Sequence, residues 1–111
     1  MARPDKNIVD YFPLWKPRQI TENKFRNPDR KIRQNAIRNS SGAFIKRKDV
    51  REIVFYKDKN SCVLCGSMTN LTIDHIFSVY QAACGKFPLE KLNIRDNLQT
   101  LCGSCNSKKK P

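Results

Sequence analysis

A chain of 111 residues fits one small domain with an extension and is too short to bury a large core, so something besides hydrophobic burial is expected to help hold it. Its formal net charge is +12 with a pI near 9.8, and sixteen of its 22 Lys and Arg lie before Ser61 against seven acids, a field that suits a polyanionic partner, above all nucleic acid. No long apolar run offers a signal peptide or a membrane span, since charge interrupts "MARPDKNIVDYF" almost at once; the expected setting is the cytoplasm, where thiols stay reduced.

Residues 1–43 mix Pro, Arg, Lys and Asn with scattered aromatics and sustain no apolar periodicity, so they read as a basic N-terminal arm ahead of a compact domain at 44–111. Within the arm, "RNPDRKIRQNAIRNSSG" predicts a short basic helix. Asn27 would be its N-cap, Pro28 its first residue and Asp29 part of its first turn; Ile32, Ala36 and Ile37 would share one face, and Ser40-Ser41-Gly42 would stop it. Arg30, Lys31, Arg33 and Arg38 are the candidate DNA contacts of this arm. Tyr11, Phe12 and Trp15 are either wedges and stacking platforms for bases or a small satellite core on the domain. The next segment, "KRKDVREIVFYKDKNSC", places Val50, Ile53 and Val54 at helical spacing, a face that should dock on the rest of the compact domain.

Two CxxC pairs come next, Cys62 with Cys65 and Cys102 with Cys105. A two-residue gap lets both sulfurs of a tight knuckle face one point, and two knuckles complete a tetrahedron of thiolates around Zn²⁺. Gly66 and Gly103 suit the tight turns that knuckles need. Disulfides fit the intracellular setting poorly and a redox motif needs only one pair, while spacing alone leaves open a rubredoxin-like iron site. A closed four-thiolate site has no position for water or substrate, so the metal should tie the fold together. Cys84 lies outside both knuckles and reads as a free thiol or a core residue.

Between the knuckles, "NLTIDHIFSV" alternates Leu71, Thr72 and Ile73 as a half-buried strand does and then sets Asp74 beside His75, the only histidine in the chain. A lone histidine there could simply be a satisfied, partly buried side chain. Next to it, however, Asp74 is a hard oxygen ligand for Mg²⁺ or Mn²⁺, and an imidazole can take a proton from water at neutral pH. A regular strand sends neighbours to opposite faces, so joint service requires the strand to end or bend at this pair.

In that order, "CVLCG", "LTIDHI", "DNLQTLC" and "CNSKK" resemble the HNH endonucleases of the ββα-metal type, specifically the variant tied by two CxxC zinc knuckles; the likeness covers residues 48–109. It implies a small α+β fold in which a zinc-stabilised ββα-metal motif comes after the helical basic arm. It also implies that His75 is the general base, that Asp74 and Asn106 hold the catalytic divalent ion, and that Asn97 braces the loop and orients the histidine. Taken alone, Asn97 is an ordinary turn residue and Asn106 a helix cap. The Asp-His plus Cys-Asn pattern is also similar to junction-resolving enzymes of the endonuclease VII type.

Two features depart from the family pattern. The connection "IFSVYQAACGKFPLEKLNIRD" is longer than usual, with helical turns expected in "SVYQAAC" and "PLEKL", and little chain comes after Asn106 to form its helix. Lys108, Lys109 and Lys110 are either grips on flanking phosphates or a solvated charge run. The expected partner is duplex or branched DNA, with 5′-phosphate and 3′-hydroxyl products. A monomer would nick one strand and a homodimer could cut both. The family likeness suggests a phage or mobile element acting in a bacterial host cytoplasm. The rival reading is a non-catalytic zinc-knuckle protein that binds nucleic acid.

Overall fold

The structure, a computed structural model, describes residues 12–15 and 24–109. Its elements are α1 (Arg30–Ile45), α2 (Lys48–Lys57), β1 (Leu71–His75), α3 (Val79–Ala83), β2 (Leu98–Cys102) and α4 (Gly103–Lys108), with 3₁₀ turns at Leu89–Lys91 and Arg95–Asn97. It is a small α+β fold. The strands form a two-stranded antiparallel sheet, α2 and α4 pack on both strands, and α1 packs on α3.

Helix α1 starts and stops later than its sequence suggests. Its N-cap is Asp29, whose carboxylate accepts from the backbone N–H groups of Lys31 and Ile32 at 2.8 and 3.3 Å; Asn27 acts one step upstream, accepting from Asp29 N–H at 2.8 Å. The Ser40-Ser41-Gly42 stretch does not end the helix, which runs to Ile45 across the expected boundary between residues 43 and 44. Helical spacing puts Ser41 and Phe44 on the face of Ile37, and all three are buried, so packing outweighs the poor helix propensity of Ser-Ser-Gly. Ile32, expected on that face, is exposed.

Arg33, expected at DNA phosphates, makes contacts inside the fold. Its guanidinium donates twice to Ala83 O, at 3.0 and 2.7 Å, and also to Asn27 O at 2.7 Å and Pro28 O at 3.0 Å. These carbonyls lie at the end of α3 and ahead of α1, so the side chain clamps the two helices together. The aromatics of the arm follow the packing alternative. The Trp15 indole N–H donates to Ser40 Oγ at 3.0 Å and its ring leans on Phe25 at 5.9 Å, while Phe12 meets Phe44 edge-on at 6.0 Å. Tyr11 lies outside the described residues.

The core that carries the sheet is built from Phe44 of α1, Val50 and Val54 of α2, Ile73 of β1 and Leu98 of β2. The strands pair from Leu71↔Cys102 to His75↔Leu98, so Ile73 and Leu98 enter this core while the register delivers Asp74 opposite Gln99. On the outer side of β2, Thr100 N–H donates to Asp58 Oδ2 at 2.8 Å, and Thr100 O accepts from Val63 N–H of the first knuckle at 3.0 Å. The connection from β1 to β2 holds the two expected turns. Ser78 and Gln81 form a reciprocal capping box at the start of α3, and Leu89–Lys91 makes the other turn. Among the described residues no helix is long and apolar enough to cross a membrane.

Candidate active site and metal centre

The four knuckle cysteines converge. The Sγ atoms of Cys62, Cys65, Cys102 and Cys105 all lie within 4.8 Å of one another, with Cys65 and Cys102 at 3.6 Å. Thiolates at roughly 2.3 Å around a tetrahedral Zn²⁺ stand about 3.8 Å apart, so this cluster fits structural zinc with little movement. Gly66 turns the first knuckle with φ +79°, which a side chain would strain, and its N–H donates to Cys62 O at 2.9 Å. Gly103 serves differently: the Asn70 side chain crowds the place where a Cβ would sit, and Gly103 N–H donates to Asn70 O at 2.8 Å.

The thiol acidities suit a cation as well. Burial pushes Cys62 up, yet backbone N–H groups of Cys102, Cys65 and Leu64 outweigh it and bring the thiol down to about 6. The neighbouring Cys102 and Cys65 sulfurs hold Cys105 up at about 12. Four such groups ionise together only when a positive ion offsets their mutual repulsion. Cys84 sits apart, half-buried at the C-terminal end of α3.

A separate site gathers at the end of β1. Thr72 and Asp74 face α4, and Ile73 and His75 face α1 and α2. The strand ends at this pair, as joint service requires, although its pairing and alternation stay regular through His75. The two side chains leave opposite faces and meet around the strand's end, in a cavity of about 220 Å³. Asp74, His75, Asn106 and Lys109 line it together with Gln34 and Arg38 of α1 and Ser78, Val79 and Tyr80 around α3.

Each of these groups is held. Asp74 Oδ2 accepts from Gln99 Nε2 at 2.9 Å and from Lys109 Nζ at 2.6 Å; the same ammonium donates to His75 O at 2.6 Å. Asn106 Nδ2 donates to Thr72 Oγ1 at 2.8 Å, and the Thr72 hydroxyl in turn donates to Leu101 O at 2.8 Å, so the sheet sets the amide's orientation. His75 Nε2 lies 2.7 Å from Asn93 Oδ1 and 3.1 Å from Ser41 Oγ. Burial pushes the imidazole below its ordinary value of 6.5, with the Lys109 charge adding to this; the Asn93 hydrogen bond and the Asp74 charge oppose it.

Asn97 is buried just behind this site and does not line the cavity. Its Oδ1 accepts from Phe77 N–H at 2.8 Å, and its Nδ2 donates to Phe77 O at 3.1 Å and to Leu92 O at 2.8 Å. Its own carbonyl accepts from Ile76 N–H at 2.9 Å. The two residues after His75 are thereby pinned to the start of β2.

The basic residues divide. Arg38 lines the cavity and Lys31 and Lys108 are exposed, whereas Arg30 bonds Gln34 and lies over the Tyr80 ring at 5.1 Å. Lys110 lies outside the described residues. Ser41 and Asn93 belong to no motif and are recruited to the site by tertiary contact, while Gln99 lies within "DNLQTLC" but only the strand pairing reveals its bond to Asp74. Asp74 and Asn106, which both line the cavity, carry a carboxylate and an amide oxygen, the hard oxygen ligand types that suit a hydrated Mg²⁺ or Mn²⁺.

The family model described as HNH endonuclease matches residues 62–111. No curated protein and no solved structure matches the chain.

Proposed function

We propose that the protein is a metal-dependent DNA endonuclease hydrolysing phosphodiester bonds, with His75 as general base, a reading supported by the match of residues 62–111 to the HNH endonuclease family model. The observation that carries this reading is the cavity where Asp74, His75 and Asn106 meet between two basic side chains, Arg38 and Lys109. A divalent ion held by Asp74 and Asn106 would supply Lewis acidity at the scissile phosphate. His75 removes the proton of the attacking water as the new P–O bond forms and the P–O3′ bond breaks. Asn97 keeps the backbone after His75 in place, while Arg38, with Arg30, Lys31 and Lys108 beyond the cavity, holds flanking phosphates. Products carry 5′-phosphate and 3′-hydroxyl ends. One such site nicks one strand, and cutting both takes a second copy or a second event. The phage or mobile-element association rests on the family likeness alone.

One contact favours the rival, a non-catalytic zinc-knuckle binder. The Lys109 ammonium pairs with Asp74 Oδ2 at 2.6 Å, so an ion bound by Asp74 would have to displace it or share the carboxylate with it. Nicking of supercoiled plasmid with Mg²⁺ or Mn²⁺, comparing wild type with His75→Ala and mapping product ends, separates the two readings. Nicking by wild type that His75→Ala abolishes supports the nuclease. Equal nicking by the variant removes His75 as base, and no nicking by zinc-loaded wild type on linear, supercoiled or four-way-junction DNA favours the binder.

A further inference from the structure

The imidazole of His75 can serve as a base only at a ring nitrogen that carries a lone pair and opens toward the cavity. Every hydrogen bond of this ring among the described residues involves Nε2. The partner at 2.7 Å is Asn93 Oδ1, an acceptor, so Nε2 carries the hydrogen. Ser41 Oγ, 3.1 Å from Nε2, donates its own hydrogen to the same Asn93 oxygen, also at 3.1 Å. Both residues are fully buried, Asn93 at 3% exposure and Ser41 at 1%, so no water competes for these bonds.

The Asn93 amide has two ways to lie, and they are not chemically equivalent. With Oδ1 on the ring, Nε2 is the N–H and Nδ1 keeps the lone pair for a substrate water. With the amide turned over, Nδ2 would donate to Nε2, occupying that lone pair and leaving Nδ1 protonated and unable to accept. The adopted orientation leaves Asn93 Nδ2 buried without a partner, a cost that the reverse orientation would shift to the carbonyl. The serine hydroxyl is free to rotate and so does not by itself settle the orientation, but it satisfies the second lone pair of the oxygen that meets the ring.

We propose that Asn93 and Ser41 are positioning residues for His75, fixing its Nε2–H tautomer so that Nδ1 is the atom that takes the proton. Ser41 lies on α1, outside the segment that matches the family, so the helix ahead of that segment completes the nuclease site. This inference rests on the nuclease reading for its kinetic consequence, but not for the tautomer itself.

The test uses the full-length, zinc-loaded chain. Because His75 is the only histidine, a ¹⁵N-imidazole correlation spectrum at about pH 8 reports its tautomer without assignment. The expected result is hydrogen on Nε2, and hydrogen on Nδ1 overturns the proposal. In plasmid nicking, Asn93→Leu, which keeps volume and removes the acceptor, should lower kcat about a hundredfold with KM unchanged, the scale of a misplaced general base. Asn93→Asp, which keeps an oxygen on Nε2, should stay within a few-fold of wild type, and Ser41→Ala should lose a few-fold. Wild-type kcat in Asn93→Leu, or an equal loss in Asn93→Asp, overturns it. Should Asn93→Leu fail to fold, the wild-type tautomer still decides. Should wild type not nick at all, the nuclease reading fails while the spectrum judges the histidine's orientation separately.

Discussion

Replacing Asn97 with alanine removes three hydrogen bonds at once, and they differ in value. The bond to Leu92 O is fully buried, so its loss leaves a carbonyl that water cannot reach, at about 1–3 kcal/mol. The two bonds to Phe77 are partly exposed, and water can replace part of each, at about 0.5–1 kcal/mol apiece. The sum is about 2–5 kcal/mol, or a drop in Tm of about 10–30 °C for a domain of this size. The same change frees Ile76 and Phe77 and should cost nicking activity beyond the stability loss, measured at a temperature where the variant is folded. Asn97→Asp is the sharper variant. It keeps the acceptor for Phe77 N–H but turns a carboxylate oxygen toward two carbonyls, so it should destabilise at least as much as alanine despite its near-identical shape. Thermal melts by circular dichroism read both variants. An Asn97→Asp protein melting within about 3 °C of wild type would refute this account of the bracing.

The metal cluster and the arginines lead to two more expected outcomes. Zinc should copurify at one equivalent per chain, and stripping it with a strong chelator should collapse the tertiary signal, because the cluster joins the first knuckle to the end of β2 and the start of α4; a chain verified zinc-free with an unchanged melt would contradict this. Arg33→Met should lower Tm and leave the salt dependence of DNA binding intact. Arg38→Met should spare Tm and reduce the slope of log K against log salt by about 0.9, as expected for one lost phosphate contact. The opposite pattern would exchange the roles of the two arginines.

The parts of the molecule legible in its sequence are those whose chemistry depends on short spacing. Two CxxC pairs converge because each gap shapes its own turn. Asp74 and His75 share a cavity because they adjoin in the chain, and the buried face of α2 comes from Val50, Ile53 and Val54 at helical intervals. What escapes reading depends on distance along the chain. Ser41 reaches His75 across 34 residues and Asn93 across 18, and neither has neighbours that would mark it. Local propensity also misleads where packing overrides it. Ser-Ser-Gly reads as a stop, yet burial of Ser41 and Phe44 carries α1 past it. Arg33 reads as surface charge, but only the fold reveals that Ala83 O lies within its reach.

A sheet of two strands ordinarily leaves an open backbone margin on each side, and such margins invite pairing with another chain. At the centre of β2 that margin is taken: the N–H of Thr100 belongs to the Asp58 carboxylate and its carbonyl to Val63 N–H. A third strand approaching this side would have to displace a carboxylate and unfasten a knuckle. The smallest possible sheet is thus stoppered on its β2 side against growth into larger, self-associated sheets.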